Sequence, residues 1–548
     1  MVGTPIPESG LDDAPWVQRL VVKGFKQFGD LDLELNRSIT VLVGTNEAGK
    51  TTILQALELA VAGKFQGRPA AQALSQFWFN QGTVRAYLSA LRDGNHSIEI
   101  PEIIIEAYFA PRSLSDTHMG KNNSRLQDVN GCRLRVSFNQ EFAAEYAATL
   151  SDENQIESLP VEYFKVDWHD FGGHAITSRG LQVRVSVIDK ARGSDSRGVD
   201  MFVQDYLREH LSPHDRARIA RARRVVNDSL ESTDALAGPN SAIVNAENSI
   251  TEKLFSLALQ DIGSKSWETG IIAMLDGIPL AFAGQGEQTT IKTLLALDKG
   301  AEGSHLVLVE EPENHLSHTE LNRLLEKVTR RCAGKQLIVS THSSFVLNKL
   351  GIDHLTLIQG SKSIKLSGLS GDTPDFFHKL SSSDTLRIAV ASNVVLVEGP
   401  SDELIYTKAF QDANGKTPLE AGIDVIVVDS LAFRRYLEIA TALGRKTAVI
   451  TDNDGDVIAA RQRFEGFEVR DLIQGFIGSP DRGHTLEPQL IEAIGETQLR
   501  EMLPIGKSMK STLDFMTTHK TESALAILLH RNKLPMPDYI RDAVAFFE

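Results

Sequence analysis

Cysteine is scarce in this chain: Cys132 and Cys332 stand alone, in no C-x-x-C pair or Cys/His cluster, which argues against a disulfide framework or a structural zinc site. No apolar run approaches the ~20 residues that span a bilayer. The opening MVGTPIPESGLDDAPW lacks the basic and apolar regions of a secretory leader. A cytoplasmic protein with no membrane partner is therefore expected. Net positive charge is missing too. A formal charge of −15 argues against a surface generally adhesive to nucleic acid, although cations held by an acidic cluster can still meet a phosphate locally. Sustained heptads are absent, and with them any long coiled coil.

The composition is that of a soluble globular protein, 42% hydrophobic and 24% charged, and 548 residues exceed one ordinary core. The segment SITVLVGTNEAGKTTILQALELAV reads as a strand, a loop and a helix. Within it, Gly44 to Thr51 fit G-x-x-x-x-G-K-[ST]. Such glycines let backbone N–H groups wrap phosphates at a helix N-terminus; Lys50 neutralises the β/γ charge and the Thr51 hydroxyl can hold magnesium. Gly44, Asn46, Gly49, Lys50, Thr51 and Thr52 are the candidate nucleotide contacts.

A P-loop needs an acidic partner at a neighbouring strand's end. SHLVLVEEPENHLS supplies one: the apolar run Leu306–Val309 suits a buried parallel strand, and Glu310 and Glu311 follow. Glu310 is placed to bind magnesium, and Glu311 to orient or deprotonate the attacking water. The strand in KQLIVSTHSSFVL ends at His342, within reach of a γ-phosphate.

These stretches resemble the ABC-type ATPase heads of SMC and recombination-mediator proteins. Lys50 and Thr51 match Walker A, Glu310 and Glu311 Walker B, and His342 the switch histidine. The resemblance implies a signature loop that acts across a dimer. Here Gly284, Gln285 and Gly286 stand without its usual serine, which leaves backbone donors such as the Gly286 N–H.

The chain is expected to divide into an ATPase N-terminal part (1–111), an insertion (112–245), an ATPase C-terminal part (246–385) and a last domain (386–548). The insertion carries no nucleotide motif and reads as a compact helical dimerisation element. Its basic stretch, with Arg216, Arg218, Arg221, Arg223 and Arg224, suits a solvated or dimer-lining face as well as a DNA contact.

The last domain holds three apolar strands that end in acids or run up to them. NVVLVEGPSDELIY places Glu398 at a strand end, the crevice side of a parallel sheet, with Ser401 or Asp402 available to cap the next helix. GIDVIVVDSLAF is the second. KTAVITDNDGD ends in Asp452, Asp454 and Asp456. A calcium loop is excluded, because its glycine at position 6 is missing and its twelfth position is Arg463 rather than glutamate. A solvated turn and a magnesium-type site remain.

The E-G strand end followed by D-x-D resembles the TOPRIM domain. Glu398 matches that family's invariant acid, and Asp452 and Asp454 its metal-binding pair. An ATPase head fused to TOPRIM resembles the OLD (overcoming-lysogenization-defect) nucleases over nearly the whole chain. By the same resemblance Glu487 is an acidic ligand and Lys520, in the K-T-E pattern with Glu522, stabilises charge on the scissile phosphate. Without the family, HKTESALAILL is equally a helix start capped by Thr521.

The fold class expected is thus α/β, an ABC-type ATPase domain with a helical insertion followed by a Rossmann-like TOPRIM domain. The resemblance implies an ATP-binding, metal-dependent DNA endonuclease. It would take one magnesium ion with ATP, held by Thr51 and Glu310, and two Mg²⁺ or Mn²⁺ ions among Glu398, Asp402, Asp452, Asp454, Asp456 and Glu487. Asp456 stays open to three roles: ligand, orienter of a ligand, or part of the turn. The ATPase would gate the nuclease by dimer closure or by nucleotide-sensing inhibition. Implied partners are DNA, further copies in a homodimer or dimer of dimers, and a helicase-like or other antiphage-defence protein. The rival expectation is a non-catalytic ATPase clamp of the recombination-mediator type.

Overall fold

The structure is a computed structural model that describes residues 15–45, 47–93, 95, 97–111, 116–150, 158–177, 181, 183–188, 211–212, 214–215, 217–219, 221–222, 225, 273–298, 304–314, 316–365, 387–428, 432–505 and 511–548. β1 (Val17–Phe25) and β2 (Phe28–Glu34) form an antiparallel hairpin. β3 (Ile39–Val43), buried along its whole length, leads through the glycine-rich loop into α1 (Lys50–Ala62). The hairpin grows into a six-stranded antiparallel sheet through β4 (Ile103–Phe109), β5 (Val129–Phe138), β6 (Phe164–Asp170) and the short strand Met119–Gly120.

β3 belongs to a second sheet. With β7 (Arg184–Ile188), β8 (Ser304–Glu310), β9 (Gln336–Thr341), β10 (Leu355–Gln359) and β11 (Lys362–Lys365) it gives the order β7-β8-β9-β3-β10-β11, parallel except for the last hairpin. Alternation along these strands sorts their residues to two cores, as a period of two requires. Leu42, Leu306, Leu308 and Ile338 pack with α1 and the antiparallel sheet. Val41, Val43, Val307, Val309 and Val339 pack on the other face against Leu321, Leu324, Leu325 and Val328. The last four form the buried stripe of α3 (His318–Arg331), which opens with a capping box between Ser317 and Glu320. Before it, α2 (Gln285–Asp298) starts directly after Gly284.

Register decides what meets at the sheet's C-terminal edge. Glu310 is paired with Ser340, and Thr341 with Val43, so the P-loop, the two glutamates and His342 leave adjacent strands in one row.

The boundary expected at 112 does not hold: it cuts through the antiparallel sheet. β5 is interior to that sheet, paired with β4 on one side and β6 on the other, and its Cys132, Leu134 and Val136 alternate inward and need a partner face; β7 joins the parallel sheet. Helical residues lie farther along, among 214–225, where Arg218 and Arg221 are exposed. Arg216, Arg223 and Arg224 fall outside the described residues.

The last domain is a four-stranded parallel sheet in the order β13-β12-β14-β15. Its strands are β12 (Asn393–Val397), β13 (Ile423–Val427), β14 (Lys446–Thr451) and β15 (Ile473–Ile477). Between and after them run α4 (Pro400–Asn414), α5 (Phe433–Leu443), α6 (Val457–Gln462), α7 (Leu486–Ile494), α8 (Lys520–Leu529) and α9 (Asp538–Ala545). Val394, Leu396 and Val449 face α5, while Val395, Val397, Ala448 and Ile450 face α4, α7 and α9. Among the described residues no helix is long and apolar enough to cross a membrane.

Candidate nucleotide and metal sites

The P-loop is shaped for close approach. Gly49 has φ 98°, and a Cβ there would fall 2.3 Å from a ring carbon of Phe28; at Gly44 it would fall 2.7 Å from the Ile358 carbonyl oxygen. Lys50 is buried and donates to the Gly44 and Thr45 carbonyls at 2.9 and 3.0 Å. Burial pulls its pKa down, and Glu311, Glu313 and Glu310 oppose that pull. The Thr51 hydroxyl donates to Glu310 Oε1, so the two residues expected to share a magnesium ion stand side by side. Thr52 turns away and is hydrogen-bonded to Gln27 at 2.8 Å. Asn46 lies outside the described residues. Gly286 sits in the first turn of α2.

Glu311 has φ 43°, its N–H bonded to the Ser340 carbonyl and its carboxylate held by Asn314 Nδ2 at 2.8 Å. His342 Nδ1 lies 3.6 Å from Glu311 and 3.5 Å from Glu313. Glu313 was not foreseen. Its Oε1 accepts from the Thr341 hydroxyl at 2.7 Å and the His342 N–H at 3.1 Å, tying the loop after β8 to that after β9.

In the last domain the neighbouring ends of β12 and β14 bring Glu398 beside the aspartates. Thr451 donates its hydroxyl to Glu398 Oε1, and the Asp452 N–H donates to the same oxygen at 3.3 Å. Asp402, in the first turn of α4, accepts from the Gly399 N–H at 3.0 Å. Asp452 Oδ2 accepts from Leu486 N–H at the start of α7, at 3.1 Å, while its Oδ1 is buried with no hydrogen-bond partner among the described residues. Glu487, one residue on, is 5% exposed and lies 3.2 Å from the Lys520 ammonium.

Burial, then the charges of Asp402 and Glu398, pushes the Asp452 carboxyl up to about 8. Burial, then the charge of Glu398, pushes Asp402 up to about 7. Tyr539 of α9 lies in the same field. Its buried hydroxyl has no hydrogen-bond partner among the described residues, and its pKa is raised by burial and then by Asp452, Asp402, Glu487 and Glu398.

Asp456, left open in sequence between ligand, orienter and turn, is the N-cap of α6, its Oδ1 accepting from the Ile458 and Ala459 N–H groups at 3.0 Å each. Thr521 does not cap α8; the helix begins at Lys520 after His519.

Arg463 was seen in sequence only as the residue that spoils a calcium loop. Its guanidinium reaches Glu398 Oε1 at 2.5 Å, Thr451 Oγ1 at 2.5 Å and Asp454 Oδ2 at 2.6 Å. Asn453 is a further residue that the sequence did not single out. Fully buried, it donates to the carbonyls of Gly478, Ser479 and Gly483 and accepts from Gly455 N–H, fastening the DNDG turn to the β15–α7 loop.

An all-carboxylate donor set suits a hard divalent ion, and the orphaned Asp452 Oδ1 and two protonation-prone aspartates are what such an ion would satisfy. Among the described residues no three acidic, histidine or thiol groups yet form a ready cage. Arg463 stands between Glu398 and Asp454.

Three family models match parts of the chain. Residues 390–454 match the family described as "Overcoming lysogenization defect protein-like, TOPRIM domain". Residues 19–143 match an AAA domain, and residues 274–348 an AAA domain whose description names the AbiEii toxin and Type IV TA system. Among solved structures, the C-terminal region of the Burkholderia pseudomallei OLD protein is 20% identical, covering 29% of this chain and 97% of that one at TM-score 0.23. The corresponding Xanthomonas campestris region is 21% identical, covering 29% and 92% at TM-score 0.22. An Smc head domain from Pyrococcus furiosus is 12% identical, covering 64% and 97% at TM-score 0.32. No curated protein matches the chain.

Proposed function

From a chain that joins an ATPase domain to an OLD-like TOPRIM domain, we propose an ATP-binding, divalent-metal-dependent DNA endonuclease in which the ATPase gates the nuclease. The observation that carries this reading is the meeting of Glu398, Asp402, Asp452 and Glu487 with Lys520 at the C-terminal edge of a parallel sheet. Such a collection is costly unless it binds cations.

Glu398, Asp402, Asp452, Asp454 and Glu487 would hold Mg²⁺ or Mn²⁺. When bound, the metal supplies Lewis acidity and a water of lowered pKa for phosphodiester hydrolysis. Lys520 carries its charge from the buried Glu487 toward solvent, where a backbone phosphate would arrive. In the ATPase, Lys50 and the P-loop N–H groups would bind the triphosphate, Thr51 and Glu310 its magnesium, and Glu311 would orient water, steadied by Asn314. Self-association, with Gly286 donating to a partner copy's nucleotide, and a role in antiphage defence or DNA repair complete the proposal; a monomer mass by light scattering would remove the first.

Plasmid nicking with Mg²⁺ or Mn²⁺ tests the core of it. Wild type should convert supercoiled DNA and Asp452→Asn should not. A wild type inert under both metals, with and without ATP, sinks the nuclease reading.

A further inference from the structure

The acids of the TOPRIM site are neutralised unequally. Lys520 meets Glu487, and Arg463 meets both Glu398 and Asp454. Asp402 and Asp452 have no ion-pair partner among the described residues, and they are the two carboxyls pushed toward protonation. Arg463 is thus the cation of the strand-end acids, and it is held by a fork: Nη1 on Glu398, Nη2 on Asp454. The oxygens it consumes, Glu398 Oε1 and Asp454 Oδ2, belong to the carboxylates that a divalent ion would need.

Local packing favours a side chain that can leave. The next residue, Phe464, is 1% exposed and lies so close to Gly475 that a Cβ there would fall 2.1 Å from its ring. The backbone is anchored at that point. By contrast Val457, Ile458 and Ala459 of α6 are exposed, and the Arg463 side chain itself remains 21% exposed. Release of the guanidinium is then a rotamer change of one long side chain, with no core to rebuild.

We infer that Arg463 is a resident counter-cation of the nuclease site, which divalent metal must displace from Glu398 and Asp454, so that it sets the metal concentration at which the site loads. The inference rests on the metal-site reading above. A cation already bound to two ligands lowers affinity twice: its hydrogen bonds must break, and its charge repels the incoming ion while it stays near. The opposite role, a clamp that pre-aligns the carboxylates for metal, predicts weaker binding when it is removed.

Mn²⁺ binding to the purified full-length protein, read by electron paramagnetic resonance and calorimetry without DNA, separates these. Arg463→Gln should bind Mn²⁺ about tenfold more tightly than wild type. It should also melt at a lower temperature in chelator and gain more from added Mn²⁺. Arg463→Lys, a single-point cation that cannot fork, should fall between them, and it carries the same comparison if the glutamine variant does not fold. Equal or weaker Mn²⁺ binding in the folded variants overturns the inference. Asp452→Asn is read separately: Mn²⁺ binding there equal to wild type would overturn the metal-site reading itself, and the role of Arg463 with it.

Discussion

The Lys520 ammonium sits 3.2 Å from Glu487 Oε1, with Lys520 54% and Glu487 5% exposed. The pair joins the start of α8 to the start of α7, a buried acid to a cation that keeps one side in water. An isolated exposed ion pair contributes little to stability; under the proposed nuclease reading this half-exposed cation would stabilise charge developing on a substrate phosphate. Lys520→Met should therefore cut the nicking rate by about 10²–10³-fold while Mn²⁺ binding persists. Loss of Mn²⁺ binding together with activity would instead make Lys520 a support for the ligands.

Metal-free stability should depend on pH through Asp402 and Asp452. Their folded-state values, about 7 and about 8, lie above the ordinary 3.8, so between these limits the folded chain holds more protons than the unfolded one. Stability then falls as pH rises across that window and levels off above it, the two groups titrating as a coupled set. Asp452→Asn removes one contributor. In chelator its melting temperature should gain on wild type at pH 8 relative to pH 5, and a constant difference would contradict the raised values.

Asn453 links the DNDG turn to the loop before α7 through three carbonyls, at 3.1, 3.2 and 2.7 Å. Asn453→Ala leaves those buried acceptors unmet and should lower the melting transition of this domain by about 5–10 °C, with nicking reduced alongside. Calorimetry showing an unchanged transition would remove the structural role.

Lys50 spends its ammonium on the Gly44 and Thr45 carbonyls, bonds that a bound triphosphate would replace under the proposed reading. Lys50→Ala should lower affinity for a fluorescent ATP analogue at least about 100-fold, yet leave Mn²⁺ binding at the TOPRIM site intact. Unchanged nucleotide affinity would show that the loop is not a nucleotide site.

Much of this protein is legible in one dimension, because backbone-built sites need particular residue types in register. G-x-x-x-x-G-K-[ST] after an apolar strand requires a loop such as the one found, and acids ending apolar parallel strands lie along their own sheet's edge, so the positions of Glu310 in one sheet and of Glu398 and Asp452 in another were legible from spacing. The alternation of Cys132, Leu134 and Val136 was equally visible and marked a sheet strand where a helical insertion was expected. Tertiary structure alone decided which cation meets which acid. Arg463 lies on the far side of α6 from the aspartates it faces, and nothing in its neighbourhood along the chain says that six residues of helix turn its guanidinium back onto Glu398. Asn453 and Tyr539 took their roles the same way, from burial against distant segments, and the raised pKa values of Asp402 and Asp452 exist only once folding removes water from around them. Spacing along the chain fixes backbone periodicity and the residue types at a strand's end; desolvation and charge pairing are properties of the packed interior, and only the fold creates them.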